Sequence, residues 1–294
     1  MKISREQATS RFQNELSGLG TSDARKNLLR EILQEVILCH MKEAGLFEDM
    51  AFHGGTSLRL LHRIDRFSED LDMSLLVANE SYDIAAKMKD LEASLLNSGF
   101  KLEFQNKSKP TKAIKVFYIN DSEILNQFAR EIGNVIAGEK IKIKFELDVL
   151  PSDHQVFADS RVKSTFSVTV KSHDLTTCMG QKIHAVLCRS HFYGMDIIKG
   201  RDLYDLEWYL EQGITPNYNN LRECLIRGGP WEKQTLQIDR AWVVAEIHKS
   251  LQTKSFSMIL EDLRPLVDST IFESISARWN KSYYSQLVAE KLKD

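Results

Sequence analysis

Residues 140–150, KIKIKFELDVL, alternate apolar and charged side chains without interruption. A strand repeats every two residues and a helix every 3.6, so this run buries one clean face only as a strand. Ile141, Ile143, Phe145, Leu147 and Val149 fall on one side, and Lys142, Lys144, Glu146 and Asp148 on the other. The chain must therefore contain a sheet with one buried and one charged face.

Other runs supply the rest of that sheet. Strands are expected at 47–53, at 66–76, where Leu71, Met73 and Leu75 alternate with Asp70, Asp72 and Ser74, and at 165–170. Two more, 100–105 and 112–120, should form a hairpin across the polar NKSKPT loop. Helical spacing predicts a helix from an N-cap at Thr21 or Ser22 to about residue 43, a short one opening at Leu58, and one over 83–97. From about residue 174 the period becomes helical throughout, with candidates at 176–189, 200–212, 231–250, 257–266 and 271–292. Strands first and helices after is the α+β pattern. The expected division is a mixed-sheet core over residues 1–172 and a helical domain over 173–294.

Composition excludes several classes. With 39 Lys plus Arg against 41 Asp plus Glu the net charge is −2, so the whole chain offers phosphates no attractive field, although a local basic cleft remains open. Nothing approaches 18 consecutive apolar residues, and MKISREQATSRFQ has no apolar signal-peptide core. Cys39, Cys178, Cys188 and Cys224 form no CxxC pair and read as reduced thiols of a cytoplasmic protein. The histidines show no metal-ligand spacing, GxSxG is absent, and Trp231, Trp242, Trp279, Tyr283 and Tyr284 read as core of the helical tail.

The chemistry concentrates at two places. Asp70 and Asp72 sit two apart on an expected strand and so share a face. Neighbouring carboxylates repel unless a cation lies between them, and Mg²⁺ is commonly held by one or two carboxylates together with substrate phosphates. Upstream, Gly54-Gly55-Thr56-Ser57 lies between a strand and a helix. Its glycines allow close backbone approach, the helix start directs N–H groups outward, and the Thr56 or Ser57 hydroxyl is an added donor. A phosphate cradle and a metal pair joined by one short helix are a nucleotide–Mg²⁺ arrangement. Asp148, on the charged face of 140–150, is the expected third acid, as metal ligand or base, with Glu146 as its competitor. In the helical half, Lys182 and Arg189 share a helix face and could flank a triphosphate, while Arg201, Asp202 and Asp205 open the next helix.

The run 52–59, FHGGTSLR, followed by RFSEDLD at 66–72, resembles the AbiEii/AbiGii abortive-infection toxin family, nucleotidyltransferases of the DNA polymerase β superfamily. GQKIHA at 180–185 through Arg189, then RDLYDL at 201–206, is similar to the family's downstream signature. The resemblance spans roughly residues 28–210. It implies a polymerase β-like core followed by a helical domain that closes the nucleotide cleft. It also implies a toxin of a phage-defence or toxin–antitoxin system, encoded beside an antitoxin, with some relatives modifying tRNA 3′ ends. The expected reaction is transfer of a nucleoside monophosphate from an NTP to an acceptor hydroxyl. Asp70, Asp72 and Asp148 would serve the metal, and Gly54, Gly55, Thr56 and Ser57 the phosphates. Lys182, Arg189, Arg201, Asp202 and Asp205 would bind or position the nucleotide. The alternatives are a small-molecule, antibiotic-type nucleotidyltransferase and a nucleotide-binding regulator without catalysis.

Overall fold

The computed structural model describes residues 2–121, 123–127, 140–164, 166–193 and 198–294. It divides into two compact units. The first comprises Met1–Arg63, Phe67–Pro151 and Phe157–Ser172, and the second Ile64–Arg66, Ser152–Val156 and His173–Asp294.

The first unit opens with α1 (Arg5–Leu16), capped by a reciprocal Ser4–Gln7 box, and α2 (Ser22–Glu43), capped by the Thr21 hydroxyl. The sequence reading omitted α1, whose polar composition weakens its periodicity although Phe12 and Ala8 are buried. β1 (Met50–His53) is shorter than expected because Leu46–Glu48 form a 3₁₀ turn after Gly45. The chain then turns helical at once, as α3 (Gly54–Ser57), and continues through a wider π turn at Leu58–His62. GGTS is thus the first helical turn rather than a loop ahead of it. Arg63, at φ 61°, ends the helix.

The strands β2 (Asp70–Leu75), β3 (Glu103–Asn106), β4 (Ile114–Asp121), β5 (Ile141–Asp148), β6 (Phe157–Arg161) and β7 (Thr169–His173) complete the sheet, with α4 (Ile84–Asn97) between β2 and β3 and α5 (Glu123–Gln127) after β4. The spatial order is β3-β4-β5-β2-β1-β7-β6. β2 runs parallel to β5 and β1 to β7, whereas β1–β2, β3–β4 and β4–β5 are antiparallel. The expected hairpin is β3–β4. β6 was not anticipated, and the strand expected from residue 165 starts later, at Thr169; residue 165 itself lies outside the described residues.

Register sorts the sheet's two faces. Leu71 pairs with Phe145, Met73 with Leu147, and Phe117 with Phe145, so these side chains share one side. They join Phe12 of α1, Leu29, Leu33, Val36 and Ile37 of α2, and Met88 and Leu91 of α4 in a single core. Burying a side chain of this size contributes about 1.5–3 kcal/mol. The opposite side carries Asp70, Asp72, Lys144, Glu146, Asp148, Val116 and Tyr118.

The second unit contains α6 (Leu175–Tyr193), α7 (Gly200–Glu211), α8 (Tyr218–Arg227), α9 (Arg240–Gln252), α10 (Phe256–Leu263), α11 (Ser269–Arg278) and α12 (Lys281–Lys291). α8 was not expected, and α9 starts nine residues later than predicted: residues 231–239 form a turn and an irregular stretch, and Asp239 caps the helix by accepting the Trp242 N–H. The single helix expected over 271–292 is two helices, with Asn280 capping the second through its contact with the Tyr283 N–H. Gly200 allows α7 to begin against α10: a Cβ there would lie 2.1 Å from the Ile259 carbonyl oxygen. Among the described residues, no helix is long and apolar enough to cross a membrane, and the four cysteines are free thiols.

Candidate active site

In the first unit, antiparallel pairing sets His53 opposite Asp72, which brings the residue before the glycine turn to the second acid of the DxD strand. Gly54 has φ 78°, and a Cβ on it would stand 2.1 Å from Asp72 Oδ2. The Asp72 carboxylate therefore rests on the bare Cα of Gly54. The Thr56 hydroxyl donates to the Asp70 carbonyl, and Ser57 Oγ donates to the Gly54 carbonyl at 2.8 Å. Both residues are buried. Their hydroxyl hydrogens serve the protein's own backbone, contrary to the expectation that one would face a phosphate. Any phosphate contact from this turn would fall to backbone N–H groups at the helix start, such as those of Gly55 and Thr56.

Asp70 and Asp72 are both half-buried on the charged face. Parallel pairing with β5 sets Asp70 opposite Lys144, Asp72 opposite Glu146 and Ser74 opposite Asp148. The strand does lie beside the DxD strand, as expected, but its register revises the choice of third acid. Asp148 stands two residues, roughly 7 Å along the strand, beyond the level of Asp72. Its carboxylate accepts the Leu150 N–H at 2.9 Å. Glu146 is the acid level with Asp72, and it holds Lys144 Nζ at 2.7 Å. Burial opposes the charge on Lys144, but Glu146 and Asp70 outweigh it and raise its pKa.

No cluster of three or more potential metal ligands forms among the described residues, so the expected convergence of Asp70, Asp72 and Asp148 is not found. Two half-buried carboxylates, one seated on a glycine that leaves space only while it lacks a side chain, still fit a hard cation that takes its remaining ligands from phosphate and water.

The second unit gathers a separate charged set. Lys182 Nζ lies 2.9 Å from Asp202 Oδ1 and 2.8 Å from Asp205 Oδ2. Arg189 Nε donates to Asp202 Oδ2 at 2.7 Å. Arg66 grips Asp205 with two donors, its Nη2 lying 2.6 Å from Oδ2. Both acids and Arg66 are buried. Burial alone would raise Asp202, but Lys182 and Arg189 hold it down at about 2. Burial likewise opposes the charge on Lys182 and Arg66, and the two carboxylates outweigh it and raise both. Three cations on two carboxylates leave the set at +1. Four of these residues were singled out from the sequence. Arg66 was read as the first residue of the RFSEDLD strand signature and given no role of its own, and it precedes β2. The recoverable signal was its isolation in a run that otherwise supplies the metal acids. Arg201 is half-buried on α7 and makes no ion pair among the described residues.

Glu207 is a further buried acid that the sequence did not reveal. It accepts from Arg278 Nη2 at 3.1 Å, Trp279 Nε1 at 2.7 Å and the Tyr283 hydroxyl at 2.5 Å. These bonds tie α7 to α11 and α12, and they place Trp279 in the core as expected.

No curated protein matches the chain significantly. Among solved structures, JHP933 from Helicobacter pylori is similar, with a TM-score of 0.47 and 15% identity over 90% of this chain and 93% of that one. A second H. pylori protein, described only provisionally as a nucleotidyltransferase, gives 0.46 and 16% over 88% and 95%. The profile of the AbiEii nucleotidyl transferase toxins of type IV toxin–antitoxin systems matches residues 36–281. The glycine turn, the DxD strand and the lysine and aspartate helices all fall within that span, and the chain belongs to the AbiEii nucleotidyl transferase toxin family.

Proposed function

We propose that the protein is a Mg²⁺-dependent nucleotidyltransferase that moves a nucleoside monophosphate from an NTP onto an acceptor hydroxyl in the cytoplasm. The observation that carries this reading is the seating of Asp72 on Gly54, with Asp70 on the same face of β2. Asp70 and Asp72 hold the cation. When bound, the cation offsets the negative charge of the triphosphate and of the departing pyrophosphate. The backbone N–H groups of Gly55 and Thr56 orient phosphate oxygens. Glu146, level with Asp72, accepts the proton of the acceptor hydroxyl as its oxygen bonds to the α-phosphorus and the bond to pyrophosphate breaks. Lys182 and Arg189, paired with Asp202 and Asp205 in a set of net charge +1, are assigned to binding an anionic group of the nucleotide. The family's toxin–antitoxin setting supports a cognate antitoxin as protein partner, and tRNA 3′ ends are the leading acceptor.

Incubation of the protein with each α-labelled NTP and Mg²⁺, with and without total tRNA, tests this. Label should pass to RNA with one NTP preferred, and Asp70→Asn and Asp72→Asn should abolish it. Transfer that survives both substitutions, or proceeds equally in chelator, would refute the assignment.

A further inference from the structure

We infer that the β3–β4 hairpin, with the charged sheet face leading to it, is the seat for the single-stranded 3′ end of a nucleic-acid acceptor. This inference rests on the nucleotidyl-transfer reading and gives its acceptor a place on the molecule.

Charge is the first observation. Residues 104–120 contain Lys107, Lys109, Lys112 and Lys115 and no Asp or Glu, within a chain of net charge −2. Lys107, Lys109 and Lys112 are exposed, and none makes an ion pair among the described residues. Lys115 behaves differently. It is buried, and its Nζ donates to the Pro110 carbonyl at 3.3 Å and the Lys112 carbonyl at 2.9 Å. Its ammonium thus staples the loop from within. Ser108 Oγ takes the Val116 N–H at 3.0 Å, Asn106 Oδ1 takes the Ser108 N–H at 2.8 Å, and the Lys107 N–H reaches the Val116 carbonyl at 2.8 Å. The three outward lysines stand on a fixed scaffold, so ordering them on a ligand costs less entropy than ordering a loose tail.

Register supplies the second observation. One row across the sheet reads Asp70, Lys144, Tyr118, Gln105. The next reads Asp72, Glu146, Val116, and Lys107 extends it through its bond to the Val116 carbonyl. Lys107 therefore lies on the face of the acidic pair and level with Asp72. Three strand spacings separate them, about 14 Å, the length of roughly four stacked nucleotides at about 3.4 Å each. Between the two ends, Tyr118 presents a half-buried ring with Lys142 Nζ 3.6 Å from its centroid. An aromatic ring among cations is the usual platform for unpaired bases.

Asp70, Asp72 and Glu146 sit at one end of this face and the loop lysines at the other, where Glu103, the acid of β3, is neutralised by Lys140 Nζ at 2.7 Å. A polyanion fits that gradient in one direction only. Its phosphates belong over Lys107, Lys109 and Lys112, and its reacting terminus, a hydroxyl without phosphate, belongs at the acids. An acidic protein would match the lysines and be repelled by Asp70, Asp72 and Glu146.

A 5′-labelled 12-nucleotide RNA, titrated into the full chain with Mg²⁺ at several salt concentrations, tests the inference. Replacing Lys107, Lys109 and Lys112 together by Ser should weaken binding at least about tenfold at low salt. It should also flatten the log–log salt dependence by about 2, at about 0.7 per phosphate contact on a single strand. Ser at Lys42, Lys89 and Lys249 makes the same charge change elsewhere and should leave binding unaltered. Equal loss in both triple variants would overturn the inference, since attraction would then be general. So would undiminished binding in the hairpin variant, or no RNA binding by the wild type. Hairpin-dependent binding of polyglutamate but not of RNA would assign the loop to an acidic protein and also overturn it. A separate titration of the wild type with a non-hydrolysable NTP analogue reports on the nucleotidyl-transfer reading. Lysine-dependent RNA binding supports the seat whatever that second titration gives.

Discussion

A side chain at position 54 would have to share space with the Asp72 carboxylate, because Oδ2 occupies the place of its Cβ. The left-handed φ of 78° adds a cost of about 1–2 kcal/mol for any residue with a Cβ. Gly54→Ala should therefore displace Asp72 rather than merely strain the turn. Calorimetry with an NTP analogue should show Mg²⁺-dependent affinity falling at least about tenfold, and unchanged affinity would detach the glycine from the metal pair. The same reasoning orders the acids of β5. Glu146 pairs across from Asp72, and Asp148 pairs across from Ser74 while holding the Leu150 N–H. Glu146→Gln should lower turnover by about 100-fold or more, in the range of general-base contributions, with Asp148→Asn within a few-fold of wild type. The opposite order in a label-transfer assay would restore Asp148 as the third acid.

At the level of elements, α6 and α7 are joined by charge as well as by apolar contact. Asp205 is buried and gripped by buried Arg66, whereas Asp202 shares Arg189, whose side chain is 25% exposed. Removing a carboxylate costs most where the remaining cation cannot reach water. Asp205→Asn should thus reduce unfolding free energy by about 3–5 kcal/mol, and Asp202→Asn by clearly less, as urea denaturation would show. Equal losses would mean that Arg66 is rehydrated once its partner is gone. The sequence made much of this readable. Alternation revealed β2 and β5, and spacing put Lys182 with Arg189 on one helix and Asp202 with Asp205 on the next, but the two cations were expected to flank a triphosphate and instead pair with those acids. Pairing register was not readable, because it depends on which strands become neighbours. Asp148 was preferred to Glu146 because it lies nearer the end of the strand, a criterion that the register overrides. Nor could composition show that Thr56 and Ser57 turn inward, since a hydroxyl serves a carbonyl or a phosphate equally well. The Arg66–Asp205 pair was not readable because Arg66 is four residues from Asp70 in sequence yet bonds to a residue 139 positions away.

Across the whole molecule, stability should depend on pH in two stages. His184 lies mid-helix in α6, and burial with Arg189 nearby lowers its pKa to about 4. His40 is lowered too, by burial, while its ring nitrogens meet Ser94 Oγ at 3.0 Å and the Ile3 carbonyl at 3.1 Å. A histidine whose folded pKa lies below its unfolded value near 6.5 lets the unfolded chain take up protons first. Its contribution is therefore complete above about pH 6.5 and is lost as pH falls toward the folded value. For His184 that window runs from about 6.5 to about 4, worth a few kcal/mol at about 1.4 kcal/mol per unit. Asp202, held at about 2, adds a second loss only below the ordinary carboxylate range. Glu35 works the other way, because burial raises its carboxyl despite the Arg11 partner. A total slope therefore mixes signs, and a single-site comparison is needed to isolate one group. Melting temperatures of wild type and His184→Gln, measured between pH 7.5 and 4, should converge as pH falls, with the wild type losing more. Parallel curves would show that His184 protonates in the folded protein as easily as in the unfolded chain, and would assign the acid sensitivity to other groups.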